Sequence, residues 1–211
     1  MADGSPSDES SLPGELNIDN LYFRSKVMAE AAVDQFLEHR SLPIVLIQPG
    51  TIFGPSDAAP SESGRFVLNF LQQKVPFILT GGLSIVDARD VAQAMITAVK
   101  QGQSGERYLV GGQYHSAGEI LTTLSEVSGV KGPQRKLPGW AMHLLARLLT
   151  LISRLTGQSL VDLSVDVVKI MLTQQQFNSA KAMDVLDVNF RPLLETLRDT
   201  VAWYRDHDYC E

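Results

Sequence analysis

Apolar residues recur at three- and four-residue intervals over residues 19–40, and this period predicts an amphipathic helix. The next apolar run, residues 43–48, has no alternation, which is typical of a strand buried on both faces of a parallel sheet. Residues 49–55 follow with two glycines and two prolines, which indicates a loop. Because open α/β sheets bind ligands at the carboxyl ends of their strands, the pattern predicts a ligand site in this loop.

Helical and strand-like patterns keep alternating downstream, as expected of an α/β fold. Ser116 and Glu119 form a capping box that opens a helix. Asp87 or Asp90 could cap the helix before it. The last third is mostly helical, with Pro192 in the first turn of its final helix. The predicted helices are residues 64–74, 90–100, 116–127, 139–155, 163–172, 179–186 and 192–206, and the predicted strands are residues 83–86 and 106–110.

Residues 1–20 form a polar, acidic segment rich in Ser, Pro and Gly, without the basic and apolar regions of a secretory signal. We expect a loop or frayed tail there, so that the helix after it is the first ordered element. The predicted division is a polar tail or loop over residues 1–20, an α/β part over 21–115 and a mainly helical part over 116–211.

Composition narrows the function classes. The chain has 211 residues, 44% hydrophobic and 20% charged, and its net charge of −6 argues against a broad nucleic-acid-binding surface. The single cysteine, Cys210, can form no internal disulfide, which favours a cytoplasmic location. The four histidines lack metal-ligand spacing, so no metal is predicted. Residues 140–155 are apolar but too short to span a bilayer; we expect them to pack over a substrate cleft, with peripheral membrane contact as the alternative.

Tyr22 and Lys26 lie four residues apart on the first predicted helix, one turn from each other. A phenol has a reference pKa of about 10, so it needs nearby positive charge to exchange protons near neutral pH. An ammonium group one turn away would supply that charge. An ordinary surface helix is the alternative explanation for the pair, and the surrounding sequence has to decide between them.

Six segments occur along the chain in this order: YFRSKVMAE, PGTIFGPSD, SIVDARDVAQA, GERYLVGG, FNSAKAMDVLD and ETLRDTVAWYRDHDY. They resemble, in the same order, the C-terminal portion of an extended short-chain dehydrogenase/reductase, and the resemblance covers nearly all of residues 20–209. Within that superfamily the chain is similar to the NAD-dependent epimerase/dehydratase family, in particular its dihydroflavonol-reductase-like and hopanoid-associated sugar-epimerase-like members. The resemblance assigns residues 21–115 to a Rossmann-like part that includes some substrate-domain elements, and residues 116–211 to a substrate-binding part.

The resemblance implies the C-terminal part of a Rossmann-like, doubly wound parallel sheet with a smaller helical substrate domain. It implies that Tyr22 is the general acid/base and that Lys26 lowers the pKa of Tyr22 and binds the ribose of NAD or NADP. It also implies a nicotinamide border at four positions, a small-molecule substrate such as a nucleotide sugar or a flavonoid- or sterol-like alcohol, and the possibility of a homodimer. The four border positions are Pro49, Gly50, Thr51 and Ile52.

Phe53 and Arg65 are tentative substrate contacts, although an arginine at the start of a helix is more often simply solvated. Two parts of the family's machinery have no match in the sequence. Its 16 glycines form no Gly-x-x-Gly-x-x-Gly or Gly-x-Gly-x-x-Gly motif for a pyrophosphate, and no Ser or Thr follows a strand upstream of Tyr22. The chain could therefore be a truncated product or gene-model fragment, and a non-catalytic interaction protein is the alternative function.

Overall fold

Helices and short strands alternate along the chain, as the hydrophobic pattern predicts. The computed structural model describes residues 5–11, 21–138, 141 and 174–209. Two predicted helices, residues 139–155 and 163–172, lie outside the described residues apart from residue 141, as does the apolar segment 140–155. The elements are α1 (Leu21–His39), β1 (Leu46–Pro49), β2 (Thr51–Phe53), α2 (Glu62–Leu71), β3 (Gly82–Asp87), α3 (Ala88–Gln101), β4 (Arg107–Val110), β5 (Gln113–Ser116), α4 (Ala117–Ser128), α5 (Ala180–Leu186) and α6 (Leu193–Asp206).

Two small sheets form the centre of the fold. β1 pairs in parallel with β4, while β2 pairs in parallel with β3 and β3 pairs antiparallel with β5. Val45, directly before β1, and Ile47 on β1 pack toward the helices α3 and α5. Gln48 faces the other way and donates to Glu30 of α1. The β1–β4 sheet is therefore covered on both faces, which confirms the predicted α/β class with helices around parallel strands.

Two hydrophobic cores stabilise the fold. The first joins α2, α4 and α6 to β2 and β3, and the second joins α3 and α5 to the β1–β4 sheet. The buried members of the first are Phe53, Val67, Phe70, Ile85, Ile120, Leu121, Leu124, Leu193, Leu197, Val201 and Tyr204. Those of the second are Val86, Val91, Ala94, Ala98, Tyr108, Val110, Ala182, Leu186 and Val188.

Several predicted elements need correction. Residues 49–55 do not form a loop throughout, because Thr51–Phe53 is the strand β2, paired with Ile85, Val86 and Asp87 of β3. Strand β5 was not predicted, since its sequence QYHS has no apolar alternation. β1 is half-buried rather than fully buried, although helices cover both of its faces. Pro192 is the N-cap of α6 and not part of its first turn.

Gly111 and Gly112 form the short connection between β4 and β5. Gly112 has a φ of 73°, which favours glycine, and a Cβ atom there would overlap the carbonyl oxygen of Ile85. The connection therefore places β5 against β3.

Residues 5–11 make long-range contacts before α1 begins. Ser7 forms an isolated parallel bridge with Phe177, and the Leu109 N–H donates to the carboxylate of Glu9 at 2.8 Å. Residues 5–11 are therefore a docked loop, one of the two predicted options, and not a frayed tail, while α1 is the first helix or strand of the described residues. A sequence of polar residues gave no hint of this docking, because the contacts use backbone groups and one side-chain carboxylate.

In the described residues, every helix falls short of the length and apolar character needed to cross a bilayer.

Candidate active site

The direction of α1 determines where Tyr22 lies. The carboxyl end of α1 leads into β1, and Leu42 in this connection accepts a hydrogen bond from Ser104 Oγ, just before β4. That end of α1 is therefore at the amino ends of the paired strands. Since α1 then runs antiparallel to β1, its first turn points toward the carboxyl ends of the strands, where open α/β sheets bind ligands.

Tyr22 and Lys26 are in contact on the first two turns of α1. The Nζ atom of Lys26 lies 5.2 Å from the centroid of the Tyr22 ring, within the range of a cation–π interaction. Tyr22 is 62% exposed, so its phenol is accessible to small molecules. The four-residue spacing thus brings a phenol and an ammonium group together on one accessible face.

Polar contacts tie α1 to the sheet. The Arg107 guanidinium on β4 pairs with Glu30 through Nε at 2.5 Å and with Asp34 through Nη2 at 2.5 Å. The hydrogen bonds that Arg107 donates to Glu30 and to Asp34 raise the pKa of Arg107 above its ordinary value despite the opposing effect of burial. In the described structure α1 has no buried residue. The helix is therefore held by these ion pairs and by a half-buried stripe along one side.

The predicted nicotinamide border begins at the carboxyl end of β1. Pro49 is the last residue of β1 and pairs with Val110, and the Gly50 N–H donates to the Val110 carbonyl at 3.1 Å. A Cβ atom on Gly50 would overlap the carbonyl oxygen of Gly111, so the two backbones approach closely only because residue 50 is glycine. Thr51 and Ile52 continue into β2, and Ile52 is 39% exposed.

The two tentative substrate contacts differ in their surroundings. Phe53 is buried in the first core, so packing explains its side chain. Arg65 lies in the first turns of α2 and is exposed, and its Nη1 donates to the Pro60 carbonyl at 2.7 Å. This contact holds the guanidinium beside the connection between β2 and α2, on the carboxyl side of β2.

An ion network around Asp87 went unrecognised in the sequence, which indicated only a helix cap. Asp87 does cap α3, and it also accepts Arg89 Nε at 2.9 Å and Nη2 at 2.8 Å, while Arg89 Nη1 donates to Asp199 of α6 at 2.6 Å. Burial raises the pKa of Asp87, but hydrogen bonds from Arg89 and Thr196 outweigh it, so the pKa lies below its ordinary value.

Asp90, one turn along α3, is the second buried carboxylate that contacts the C-terminal region. It accepts the Arg191 backbone N–H at 2.8 Å and pairs with the Arg191 guanidinium, whose Nε lies 3.2 Å from Glu195. Burial raises the pKa of Asp90 despite the opposing contacts with Arg191. Both acidic residues thus join α3 to the last helix, and nothing in their sequence spacing identifies these partners.

Curated proteins with similar sequences are longer than this chain. A provisionally named dihydroflavonol 4-reductase of Synechocystis sp. is 28% identical over 211 residues, which cover 98% of this chain and 61% of that protein. Sterol demethylase protein B of Methylococcus capsulatus is 29% identical over 187 residues, which cover 88% of this chain and 56% of that protein. The chain therefore spans less than two thirds of the length of either relative.

Solved structures share the fold. The crystal structure of gox2253 matches with a TM-score of 0.82 and 28% identity, covering 100% of this chain and 64% of that one. A nucleoside-diphosphate-sugar epimerase from Pseudomonas aeruginosa matches with a TM-score of 0.78 and 23% identity, again covering 100% of this chain and 64% of the other. These matches confirm that the chain has a Rossmann-like α/β fold and covers part of each matched structure.

The family assignment follows from a family model that matches residues 1–111, more than half of the 211 residues. The matched range includes the Tyr22–Lys26 pair, the strands β1 to β4 and the helix α2, which carries Arg65. The sequence resemblance is thereby confirmed, and the chain belongs to the NAD dependent epimerase/dehydratase family.

Proposed function

We propose that this chain carries the nicotinamide side and the substrate side of an NAD(P)-dependent oxidoreductase or epimerase that acts on a hydroxyl- or keto-bearing substrate. The observation that supports the proposal best is the contact between Lys26 and the accessible phenol of Tyr22, at the end of α1 that points toward the carboxyl ends of the strands. Helical spacing alone brings the two groups together, so the functional interpretation rests on their place at the edge where open α/β sheets bind ligands and on the family that the chain belongs to.

In this proposal Tyr22 exchanges a proton with the substrate oxygen. Lys26 holds the phenol electrostatically and donates to the ribose of the cofactor, a role for which its donors and charge are suited. The backbone from Pro49 to Ile52 would border the nicotinamide at the carboxyl end of β1. When bound, NAD or NADP accepts or supplies the hydride.

The proposed substrate contacts are Arg65 and, through its backbone, Phe53. An exposed guanidinium on the carboxyl side of β2 suits a phosphate or carboxylate group. The names of the relatives, a dihydroflavonol reductase, a sterol demethylase protein and a nucleotide-sugar epimerase, support a nucleotide sugar or a flavonoid- or sterol-like alcohol as the substrate class. The choice between NAD and NADP is not part of the proposal.

We also propose a homodimer contact and a cytoplasmic location. The exposed side of α1 carries Leu21, Met28 and Phe36, which would suit a homodimer contact. A cytoplasmic location rests on the single Cys210. The division at residue 115 stays a prediction, and both cores draw elements from either side of it.

A non-catalytic interaction protein is the second candidate function, favoured by one observation. The 211 residues contain no glycine-rich motif that could hold a pyrophosphate at a helix N-terminus. Isothermal titration of the chain with NADH and NADPH measures how tightly it binds either cofactor without such a motif. We expect dissociation constants of about 100 µM or weaker, since the pyrophosphate contacts are missing.

The catalytic proposal is tested in a protein that joins this chain to the glycine-rich N-terminal part of a family member. Tyr22→Phe keeps the ring but removes the proton donor, so turnover should fall by roughly two to four orders of magnitude. Tyr114→Phe on β5 is the matched control and should keep turnover near that of the unmutated protein. Turnover that survives Tyr22→Phe would contradict the role of Tyr22, and a joined protein that binds cofactor without turnover would favour the second candidate.

A further inference from the structure

The connection of residues 54–61 joins β2 to α2. It begins directly after Phe53 and ends at Ser61, which caps α2 by accepting the Gly64 N–H at 3.2 Å. Ser63 Oγ also donates to the Ile52 carbonyl at 2.6 Å, which fastens the start of α2 to β2. The shape of this connection therefore sets the distance between the proposed nicotinamide border and Arg65.

Two tyrosines near the end of α6 hold this connection. Tyr204 Oη donates to Asp57 Oδ2 at 2.8 Å, and Tyr209 Oη donates to the Ala58 carbonyl at 2.5 Å. Tyr204 is fully buried in the first core, and its ring contacts those of Trp203 and Tyr209 at centroid distances of 5.2 and 5.5 Å. The anchor of the connection is thus part of the rigid core.

Asp57 links Tyr204 to the start of α2 through hydrogen bonds on both sides. The same carboxylate accepts the Ser61 N–H at 2.9 Å and the Ser61 hydroxyl at 2.8 Å. A Cβ atom on Gly64 would overlap both Tyr204 Oη and Asp57 Oδ2, so the first turn of α2 lies directly against their hydrogen bond. Arg65 is the next residue, so a change in this bond would move the turn that carries it.

We propose that Tyr204 and Asp57 are positioning residues for substrate binding, which act by fixing the turn of α2 that carries Arg65. The inference rests on the substrate side of the proposed function. Loss of the Tyr204 hydroxyl removes one of three donors to Asp57 and weakens the attachment of the connection to the buried core, although the bond from Tyr209 to Ala58 remains. Arg65 would sample more positions, so a bound anion would be held less tightly.

Hydrogen exchange of the chain without ligand tests the mechanical part. Tyr204→Phe keeps the buried ring, and exchange over residues 54–65 should rise about fivefold, the scale of one lost hydrogen bond. Asp57→Ala breaks the same bond from the loop side together with both bonds from Ser61, so its local rise should be larger. Tyr108→Phe is the matched control, because Tyr108 is equally buried in the other core and accepts the Gln103 N–H at 3.2 Å. Exchange over residues 54–65 that is unchanged, or raised as much by the control, would overturn the proposal.

Binding of UDP-glucose, titrated as the probe, tests the link to Arg65. Tyr204→Phe should weaken binding about fivefold when Arg65 is present and have no further effect in an Arg65→Ala background. Equal weakening in both backgrounds would overturn positioning through Arg65. If the unmutated chain does not bind UDP-glucose, the nucleotide-sugar part of the proposed function is wrong, and the exchange experiment decides the positioning proposal.

Discussion

Helices α1 and α6 differ in what holds them. In the described structure α1 spans 19 residues without a buried one, and ion pairs with Arg107 attach it to the sheet. Helix α6 spans 14 residues and buries Leu193, Thr196, Leu197, Thr200, Val201 and Tyr204. Its polar groups also reach α3 and the connection before α2.

This difference separates stability from chemistry. The buried carboxylates that contact the C-terminal region, Asp87 and Asp90, have several donors each and are explained as structural links. The Tyr22–Lys26 pair is on an accessible helix that contributes little to either core. Local stability varies across a protein, and groups that meet a ligand belong to its more accessible parts. The predictions below test this separation.

The largest effect is expected in the α6 core. Leu197→Ala removes a fully buried side chain and should lower the free energy of unfolding by about 2–5 kcal/mol. Met28→Ala on α1 is the control, since Met28 is 61% exposed and its loss should change stability by less than about 0.5 kcal/mol. Urea unfolding of both variants measures the contrast, and equal losses would mean that α1 is as much a part of the core as α6.

A smaller effect is expected at Asp87. Asp87→Asn keeps an N-cap but breaks the pair with Arg89, which should cost about 1–3 kcal/mol at pH 7. Because the pKa of Asp87 is lowered in the folded state, its ionised form stabilises the fold above the unfolded pKa of about 3.9. That contribution is lost as the pH falls from about 3.9 through the lower folded value.

The stability difference between the unmutated chain and Asp87→Asn should therefore shrink between pH 6 and pH 3. Asp90 has a raised pKa and acts in the opposite direction, since acidification relieves the cost of its burial. Asp90 is present in both proteins, but the charge of Asp87 contributes to its raised pKa, so the Asp90 effect cancels only in part and opposes the expected shrinkage. Chemical denaturation at several pH values measures the stability difference between the two proteins. A difference that grows on acidification would show that Asp87 is not the stabilised anion.

The smallest effect is expected at the contacts of α1. Glu30→Gln weakens the ion pair between Glu30 and Arg107. Because the Glu30 side chain is 32% exposed and the Arg107 side chain 25%, the free energy of unfolding should fall by only about 0.2–1 kcal/mol. Hydrogen exchange should rise in α1 more than in α6. Asp34→Asn, at a more exposed partner of the same arginine, should have an even smaller effect. A fall of more than about 2 kcal/mol in the free energy of unfolding of either variant would mean that α1 is as important for stability as α6.

The features that a local sequence pattern determines could be predicted from the sequence. The period of α1, the Asp87 cap and the Ser116–Glu119 capping box depend on neighbouring residues, and the structure confirms them. The same holds for the contact between Tyr22 and Lys26, which follows from helical spacing.

Contacts between distant residues were not predictable in this way. The pair Tyr204–Asp57 joins residues 147 positions apart, and Arg89–Asp199 joins residues 110 apart. No local period encodes such partners. Strand β5 was missed for a related reason, because its place is set by pairing with β3 and by the Gly112 connection rather than by its own polar sequence.

The roles of Tyr22 and Lys26 are tested most directly by measuring turnover and cofactor affinity side by side in the joined protein. Tyr22→Phe should lose roughly 100-fold or more in turnover while the dissociation constant of the cofactor stays within about threefold. Lys26→Ala should weaken both quantities, because the lysine contacts the phenol and is proposed to bind the ribose. Near-normal turnover of Tyr22→Phe, with cofactor bound, would contradict the assignment of this pair.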